Sequence, residues 1–154
     1  MTPAQLAALE ACAGRKLTDE ELAQAEPLLD PENRNDVALA ALVSTGRTRV
    51  LPTEIGVGTI LAALNGAGGV FLDTLVAVGE QNRDVFWTMD LIRQGRLRID
   101  MPATRAGMQG LAAAVPQLAD GIAELLKLGV QPDPVPLQQL SGALNVAEGR
   151  MQLK

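Results

Sequence analysis

Signals that start and stop helices recur at short intervals along almost the whole chain. Thr2 before Pro3, and Thr18 three residues before Glu21, are typical helix starts, and the second pair predicts a capping box. Gly14 follows the first apolar run, at the position where a left-handed backbone ends a helix. Runs that alternate apolar and polar residues are nearly absent. The chain is therefore predicted to be all-α, one compact bundle of about seven or eight short helices.

The middle and the end of the chain continue the same pattern. Further helices are predicted at residues 69–78, 83–94, 103–114, 117–128 and 137–144. Three prolines at positions 132, 134 and 136 predict a stiff extended connector before the last helix. Aromatic residues make up 2% of the sequence, so the core must be built from Leu, Ala, Val, Ile and Met. Such small side chains favour closely packed helices.

The sequence contains no histidine, and this absence removes many kinds of active site. A serine or cysteine nucleophile activated by imidazole, a histidine base and a histidine metal ligand are all excluded. The single cysteine, Cys12, forms neither an internal disulfide nor a zinc cluster. The GVGTIL stretch lacks the third glycine and the lysine of phosphate-binding loops. We therefore expect a protein that is not an enzyme and uses no cofactor or metal.

Charge is concentrated at the amino terminus. Residues 1–36 hold eight acids and three bases, a net −5, whereas the remainder balances at ten against ten. The turn-rich stretch at residues 27–35 follows this acidic region. These features predict an acidic helical arm at residues 1–33, dispensable for folding, and a main helical domain at residues 34–154. The start resembles no signal peptide and no apolar stretch reaches about 18 residues, so we expect a soluble protein without a membrane span.

Two short stretches repeat the same order of residues. GRTRVLP begins at Gly46 and GRLRIDMP begins at Gly95, and each predicts a helix exit, a short extended run and a helix entry. The two runs can pair with each other as a small two-stranded ribbon. Their four arginines are candidate interaction residues, because guanidinium groups bind phosphate or carboxylate with two hydrogen bonds: Arg47, Arg49, Arg96 and Arg98.

Local ion pairing is the alternative role for these arginines. Asp100 lies in the second stretch, Asp90 lies shortly before it and Glu54 follows the first, so a salt-bridged surface explains the same residues. Nucleic-acid binding is not expected, because the chain is acidic, with a pI near 4.7, and has no aromatic residues interleaved with its bases.

The VFWTMDLI stretch carries most of the aromatic bulk of the chain. Its helical spacing predicts that Phe86, Met89 and either Ile92 or Arg93 face the core, with Trp87 and Leu91 on another side. An exposed Trp87 would be the best single candidate for a contact residue, since tryptophan is enriched among the anchors of protein interfaces.

Three segments resemble small proteins encoded by tailed bacteriophages and prophages near tail and fibre genes, mostly of unassigned function. They are GRTRVLPTEIGVGTI, GVFLDTLVAVGEQNRDVFWTMDLIRQGRLRIDMPATRAGMQGLA and VQPDPVP, within residues 37–144. The resemblance implies a phage origin and a part associated with the virion or its tail. It implies no catalytic residues.

Two functions follow as hypotheses. The first is a structural component of the virion, in the tail or its fibres, which contacts other phage virion proteins and forms a homo-oligomer through Trp87 or the helix at residues 118–128. The second is an early phage protein that inhibits a host enzyme or defence complex, with its acidic face mimicking nucleic acid. The expected location is the virion or the host cytoplasm.

Overall fold

The structure is a computed structural model that describes residues 1–150, and in this part of the chain the fold is mostly helical, as predicted. The helices are α1 (Pro3–Ala13), α2 (Asp19–Leu28), α3 (Asp36–Ser44), α4 (Val57–Ala63), α5 (Gly68–Gly79), α6 (Arg83–Arg93), α7 (Pro102–Ala114), α8 (Ala119–Lys127) and α9 (Leu137–Ala147). Two 3-10 turns span Asn65–Ala67 and Pro116–Leu118. Four short strands complete the described elements: β1 (Thr48–Val50), β2 (Glu54–Ile55), β3 (Leu97–Arg98) and β4 (Val130–Pro132).

The helix boundaries follow the local signals of the sequence. Thr2 and Thr18 both form capping boxes, each accepting a hydrogen bond from the backbone amide three residues later. Gly14, Gly46 and Gly95 follow helices with φ of 70°, 73° and 71°, where a side chain would be strained. The predicted helix stops at these glycines are confirmed.

The strands pair differently from the prediction. β1 is paired with β4, and β2 is paired with β3 in antiparallel order, with Ile55 opposite Leu97. The predicted ribbon between the two arginine runs is therefore wrong. The reason lies in the side chains of the second run, since Leu97 and Ile99 are buried and hold β3 against apolar Ile55. All three residues of β1 are exposed, so the first run has no matching apolar face.

The chain divides into two compact units that differ from the predicted domains. Unit 1 comprises residues 1–49 and 132–150 of the described chain, and unit 2 comprises residues 50–131. The predicted boundary near residue 33 is not observed, because the helices before it share a core with α3 and α9. The acidic amino-terminal segment is thus part of unit 1 and not a separate arm.

Unit 1 is built from both ends of the chain. α1 packs against α9 and α3, and α2 packs against α3. Its core consists of twelve buried residues, six of which precede residue 33: Leu9, Cys12, Ala13, Leu17, Ala25, Leu29, Leu39, Ala40, Val43, Val135, Leu140 and Leu144.

A nearly buried arginine adds a polar network to this core. The Arg34 guanidinium donates hydrogen bonds to Asp36 at 2.6 Å, to Glu148 at 2.8 Å and to the Asn145 side-chain oxygen at 2.8 Å. The Gln5 amide of α1 donates to Glu148 at 3.0 Å. Hydrogen bonds to charged groups are stronger than neutral ones, so this network ties the start of α3 and α1 to the end of α9.

The two carboxyls of the network are held in their charged form. Burial acts to raise the pKa of Asp36, but hydrogen bonds from Arg34 and the Ser141 hydroxyl outweigh it and lower that pKa. Burial likewise opposes ionisation of Glu148, and hydrogen bonds from Gln5 and Arg34 again lower its pKa below the ordinary value.

Unit 2 has a core without a comparable polar network among the described residues. Thirteen buried side chains form it: Ile55, Ile60, Phe71, Leu75, Val85, Met89, Ile92, Leu97, Ile99, Met108, Leu118, Ile122 and Leu125. These side chains come from α4 to α8, from β2 and from the second arginine run.

Among residues 1–150, each helix is too short or too polar to cross a lipid bilayer.

Candidate interaction surface on helix α6

Helix α6 is fixed in unit 2 by its start and by one apolar face. The Asn82 side chain caps the helix by accepting hydrogen bonds from the amides of Asp84 at 3.0 Å and Val85 at 3.3 Å. Val85, Met89 and Ile92 are buried, at positions i, i+4 and i+7 of the same face. This spacing places the intervening large side chains on the solvent side.

The outward side of α6 is apolar and aromatic. Trp87 is 57% exposed, and Phe86 and Leu91 are each 42% exposed. Trp87 and Leu91 lie on another side of α6 than the buried Met89 and Ile92, as the helical spacing predicts. The prediction that Phe86 faces the core is wrong, because the buried face is set by Val85, one residue earlier.

These side chains form one organised group with Arg83. The Phe86 and Trp87 rings meet edge to face, with their centroids 5.3 Å apart at an interplanar angle of 85°. The Arg83 guanidinium lies 5.1 Å from the centroid of Phe86 and 5.6 Å from that of Trp87. We call Arg83, Phe86, Trp87 and Leu91 the aromatic surface.

The aromatic surface has the chemistry of an interface anchor. Edge-to-face rings contribute about 0.5–1.5 kcal/mol beyond area burial, and an exposed cation–π contact contributes about 0.5–1 kcal/mol. These contacts order the side chains before any partner binds, which lowers the entropy cost of binding. Tryptophan and arginine are also among the residues enriched at the energetic centre of interfaces.

Arg47 and Arg49 of the first run lie at the edge of unit 1 with different roles. Arg47 is half-buried and donates hydrogen bonds to the carbonyl oxygens of Cys12 and Asp133 and to the Asp133 carboxylate. It therefore stabilises the end of α1 and is not free to bind an anion. Arg49 is exposed.

Arg96 and Arg98 of the second run belong to unit 2. Arg98 forms a salt bridge with Asp100 and lies opposite Glu54 in the β2–β3 ladder. The hydrogen bond from Arg98, with another from the backbone amide of Thr53, holds the pKa of Asp100 far below its usual range. Local ion pairing, the alternative expectation, is thus confirmed for Arg98, while Arg96 is exposed.

The helix at residues 118–128, the other expected oligomer face, has its apolar side chains inside unit 2. Leu118, Ile122 and Leu125 are almost fully buried in the core. Of the two expected oligomer faces, the one at Trp87 therefore exposes a large apolar side chain, whereas the buried side chains of the other belong to the core.

Residues 1–150 contain no cluster of three or more Cys, Asp or Glu side chains placed to hold a metal ion. Cys12 is buried, and burial raises the pKa of its thiol although Arg47 acts in the opposite direction. The polar network of Arg34 uses its carboxylates for ion pairs within unit 1.

Comparisons with protein-family models, with curated proteins and with solved structures found no match to this chain.

Proposed function

We propose that this protein is non-enzymatic and works through protein–protein contacts, with the aromatic surface of α6 as its main contact region. The observation that carries the proposal is the exposed, preorganised group of Trp87, Phe86 and Arg83. A tryptophan with more than half of its surface exposed adds little to the stability of unit 2. Exposure of its apolar ring to water is unfavourable, and this unfavourable free energy is removed when a partner covers the ring.

We further propose that the contacts are made in a phage particle, as a structural component of the tail or its fibres. The support for this step is the resemblance of residues 37–144 to small phage and prophage proteins. The partners would be other virion proteins and further copies of the same chain, arranged with closed rotational symmetry.

The second candidate is an early phage protein that inhibits a host enzyme or defence complex in the host cytoplasm. Its support is a group of exposed carboxylates on α2 and the turn after it: Asp19, Glu20, Glu26, Asp30 and Glu32. Carboxylates spread along one surface can mimic the charge of a nucleic acid. Unit 1 would then be the binding unit, in contrast to the first proposal.

Mass spectrometry of purified virions separates the two candidates. The structural role predicts the protein in stoichiometric amounts in the particle. Its absence from particles, together with early expression during infection, would support the inhibitor.

Light scattering at micromolar concentration tests the contact surface itself. We expect an oligomeric mass for the natural protein and a lower mass for Leu91→Ala. Leu137→Ala is the matched control, since Leu137 is a helical leucine of unit 1 with a similar exposure, 45% against 42%. Equal effects of the two substitutions would contradict a specific role of α6.

A further inference from the structure

A second feature of unit 2 is a groove of about 580 Å³ between α8 and the segment that runs from α4 into α5. Leu64, Ala67, Val70 and Phe71 supply its apolar part. Val70 is 71% exposed, so a large apolar side chain at the groove is open to solvent. The volume lies in the range of about 300–1,000 Å³ typical of concave small-ligand sites.

The shape of the groove depends on one glycine. A Cβ atom on Gly121 of α8 would lie 2.4 Å from Cδ2 of Phe71 and 3.2 Å from Cδ1 of Leu64. Only a residue without a side chain lets the Phe71 ring lie directly against α8. The packing that forms one side of the groove is therefore encoded by Gly121.

The α8 side of the groove is acidic. Asp120 and Glu124 line it, four residues apart on the helix, and the charged lining residues are all carboxylates. Glu124 forms an exposed pair with Lys127 at 2.6 Å, with side chains 54% and 69% exposed. Such an exposed pair contributes little to stability, so Glu124 can exchange Lys127 for a cation of a partner at little cost.

We infer that this groove binds an amphipathic helical segment of a partner protein that carries Lys or Arg residues one helical turn apart beside its apolar face. Residues four apart on a helix lie about 5–6 Å from each other, so Asp120 and Glu124 match cations spaced i, i+4 on the bound helix. A helix laid into an apolar groove is a recurrent way of recognising peptides. An acidic segment would be repelled by the same wall.

The inference shares with the proposed function only the premise that the chain acts through protein contacts. It concerns α8 and α5 and not the outward face of α6. A Trp87→Ala variant is therefore expected to lose self-association and to keep peptide binding in the groove. Failure of the proposed function and failure of this inference can thus be distinguished.

The test is a titration of the full chain, labelled for NMR, with a short synthetic Leu–Lys amphipathic helical peptide. We expect saturable binding with the largest shifts at Leu64, Val70 and Phe71. Asp120→Asn with Glu124→Gln is expected to weaken binding about twofold to thirtyfold, since two surface ion pairs worth together about 0.4–2 kcal/mol are lost. Higher salt should also weaken binding, because it screens the attraction between exposed charges.

The matched control is Asp84→Asn with Glu80→Gln. Asp84 lies in the first turn of α6 as Asp120 does in α8, and Glu80 is an exposed glutamate next to α5. This control is expected to leave binding unchanged. Gly121→Ala, which leaves the charges intact, is expected to weaken binding by displacing the Phe71 ring.

Several results would overturn the inference. Equal binding of a Leu–Glu peptide would show that the carboxylates do not select the partner. Shifts centred on Phe86 and Trp87 would place the peptide on the aromatic surface. Equally tight binding of a simple long-chain amine would show that the groove recognises a small amphiphile and not a helical segment. Self-association abolished by the Asp120 and Glu124 substitutions would make a second copy of the chain the occupant.

Discussion

The two units of this protein both have cores with few aromatic residues, but they differ in how the chain and its charges contribute to them. Unit 1 brings both ends of the chain together and adds the charged network of Arg34, Asp36 and Glu148 at its margin. Unit 2 is continuous in sequence, has an apolar core and leaves the aromatic surface and the groove open to solvent. The difference teaches that charge contributes to stability in unit 1, whereas the two surfaces proposed for contacts with other molecules lie in unit 2.

The largest expected effect comes from removing the acidic amino-terminal segment. Deleting residues 1–32 removes six of the twelve buried residues of unit 1, so α3 and α9 lose α1 and α2 and keep only their contact with each other. We expect unit 1 to unfold while unit 2 keeps its structure. This outcome reverses the expectation, drawn from charge and linker composition, that the segment is dispensable.

Hydrogen exchange measured residue by residue checks this prediction. Amides of α9 should lose protection in the deletion variant, and amides of α5 and α8 should keep theirs. Retained protection in α9 would restore the view of residues 1–33 as a separate arm.

The next largest effect is expected at Arg34. Arg34→Met leaves the Asp36 and Glu148 carboxylates without the cation that they share. Arg150 still pairs with Glu148 at 3.0 Å and the groups are partly exposed, so we expect a loss of stability below the value of about 3–5 kcal/mol for a fully buried pair. Arg96→Met in unit 2 is the matched control, and as an exposed substitution it should change stability by less than about 0.5 kcal/mol. Urea unfolding of both variants gives the two free energies, and equal values would remove the proposed role of the network.

A packing change in unit 2 is expected to be milder. Gly121→Ala places a Cβ atom against the Phe71 ring, and overpacking of this kind costs about 1–3 kcal/mol. Gly142→Ala in α9 is the control, since a Cβ atom there meets no atom within 4 Å. Thermal unfolding should separate the variants, and an unchanged midpoint for Gly121→Ala would show that Phe71 is free to move.

Acid is expected to destabilise unit 1 at a higher pH than unit 2. The pKa values of Asp36 and Glu148 are lowered in the folded state, and salt bridging with Arg15 lowers the pKa of Glu21 from 4.5 to about 2. A lowered pKa contributes stability above the ordinary value, and this contribution is lost as the pH falls from about 4.5 toward about 2. Unit 1 holds all three groups, whereas Asp100 is the described carboxyl of unit 2 with a lowered pKa.

Methyl NMR at a fixed urea concentration follows both units at once. Signals of Leu9 and Leu144 should lose their native positions at a higher pH than those of Ile60 and Ile122. The reverse order would contradict the assignment of charge-dependent stability to unit 1.

Local features of this fold could be predicted from sequence, and long-range ones could not. The caps at Thr2 and Thr18 and the stop at Gly46 act within a few residues, so their chemistry is visible in the sequence. The grouping of α1 with α9 depends on contacts between residues more than a hundred positions apart, such as Gln5 with Glu148.

The candidate site shows the same limit. Trp87 and Leu91 could be placed from helical spacing, but the assignment of Phe86 failed because a one-residue change of phase moves it from core to solvent. The correct buried face could have been found from the sequence. Asn82 marks the start of the helix, and Val85, Met89 and Ile92 follow it with the spacing of one apolar face. The groove could not be predicted, since the contact of Gly121 with Phe71 joins two helices far apart in sequence.

The most direct test of the central claim uses the single tryptophan of the chain as a reporter of the aromatic surface. Trp87 emission and its quenching by acrylamide are measured from nanomolar to high micromolar concentration, alongside the mass from light scattering. We predict emission typical of exposed indole at low concentration, then a shift to shorter wavelength with reduced quenching as the mass rises. A rising mass with unchanged Trp87 emission, or a monomeric mass throughout, would contradict contact between copies through the α6 surface.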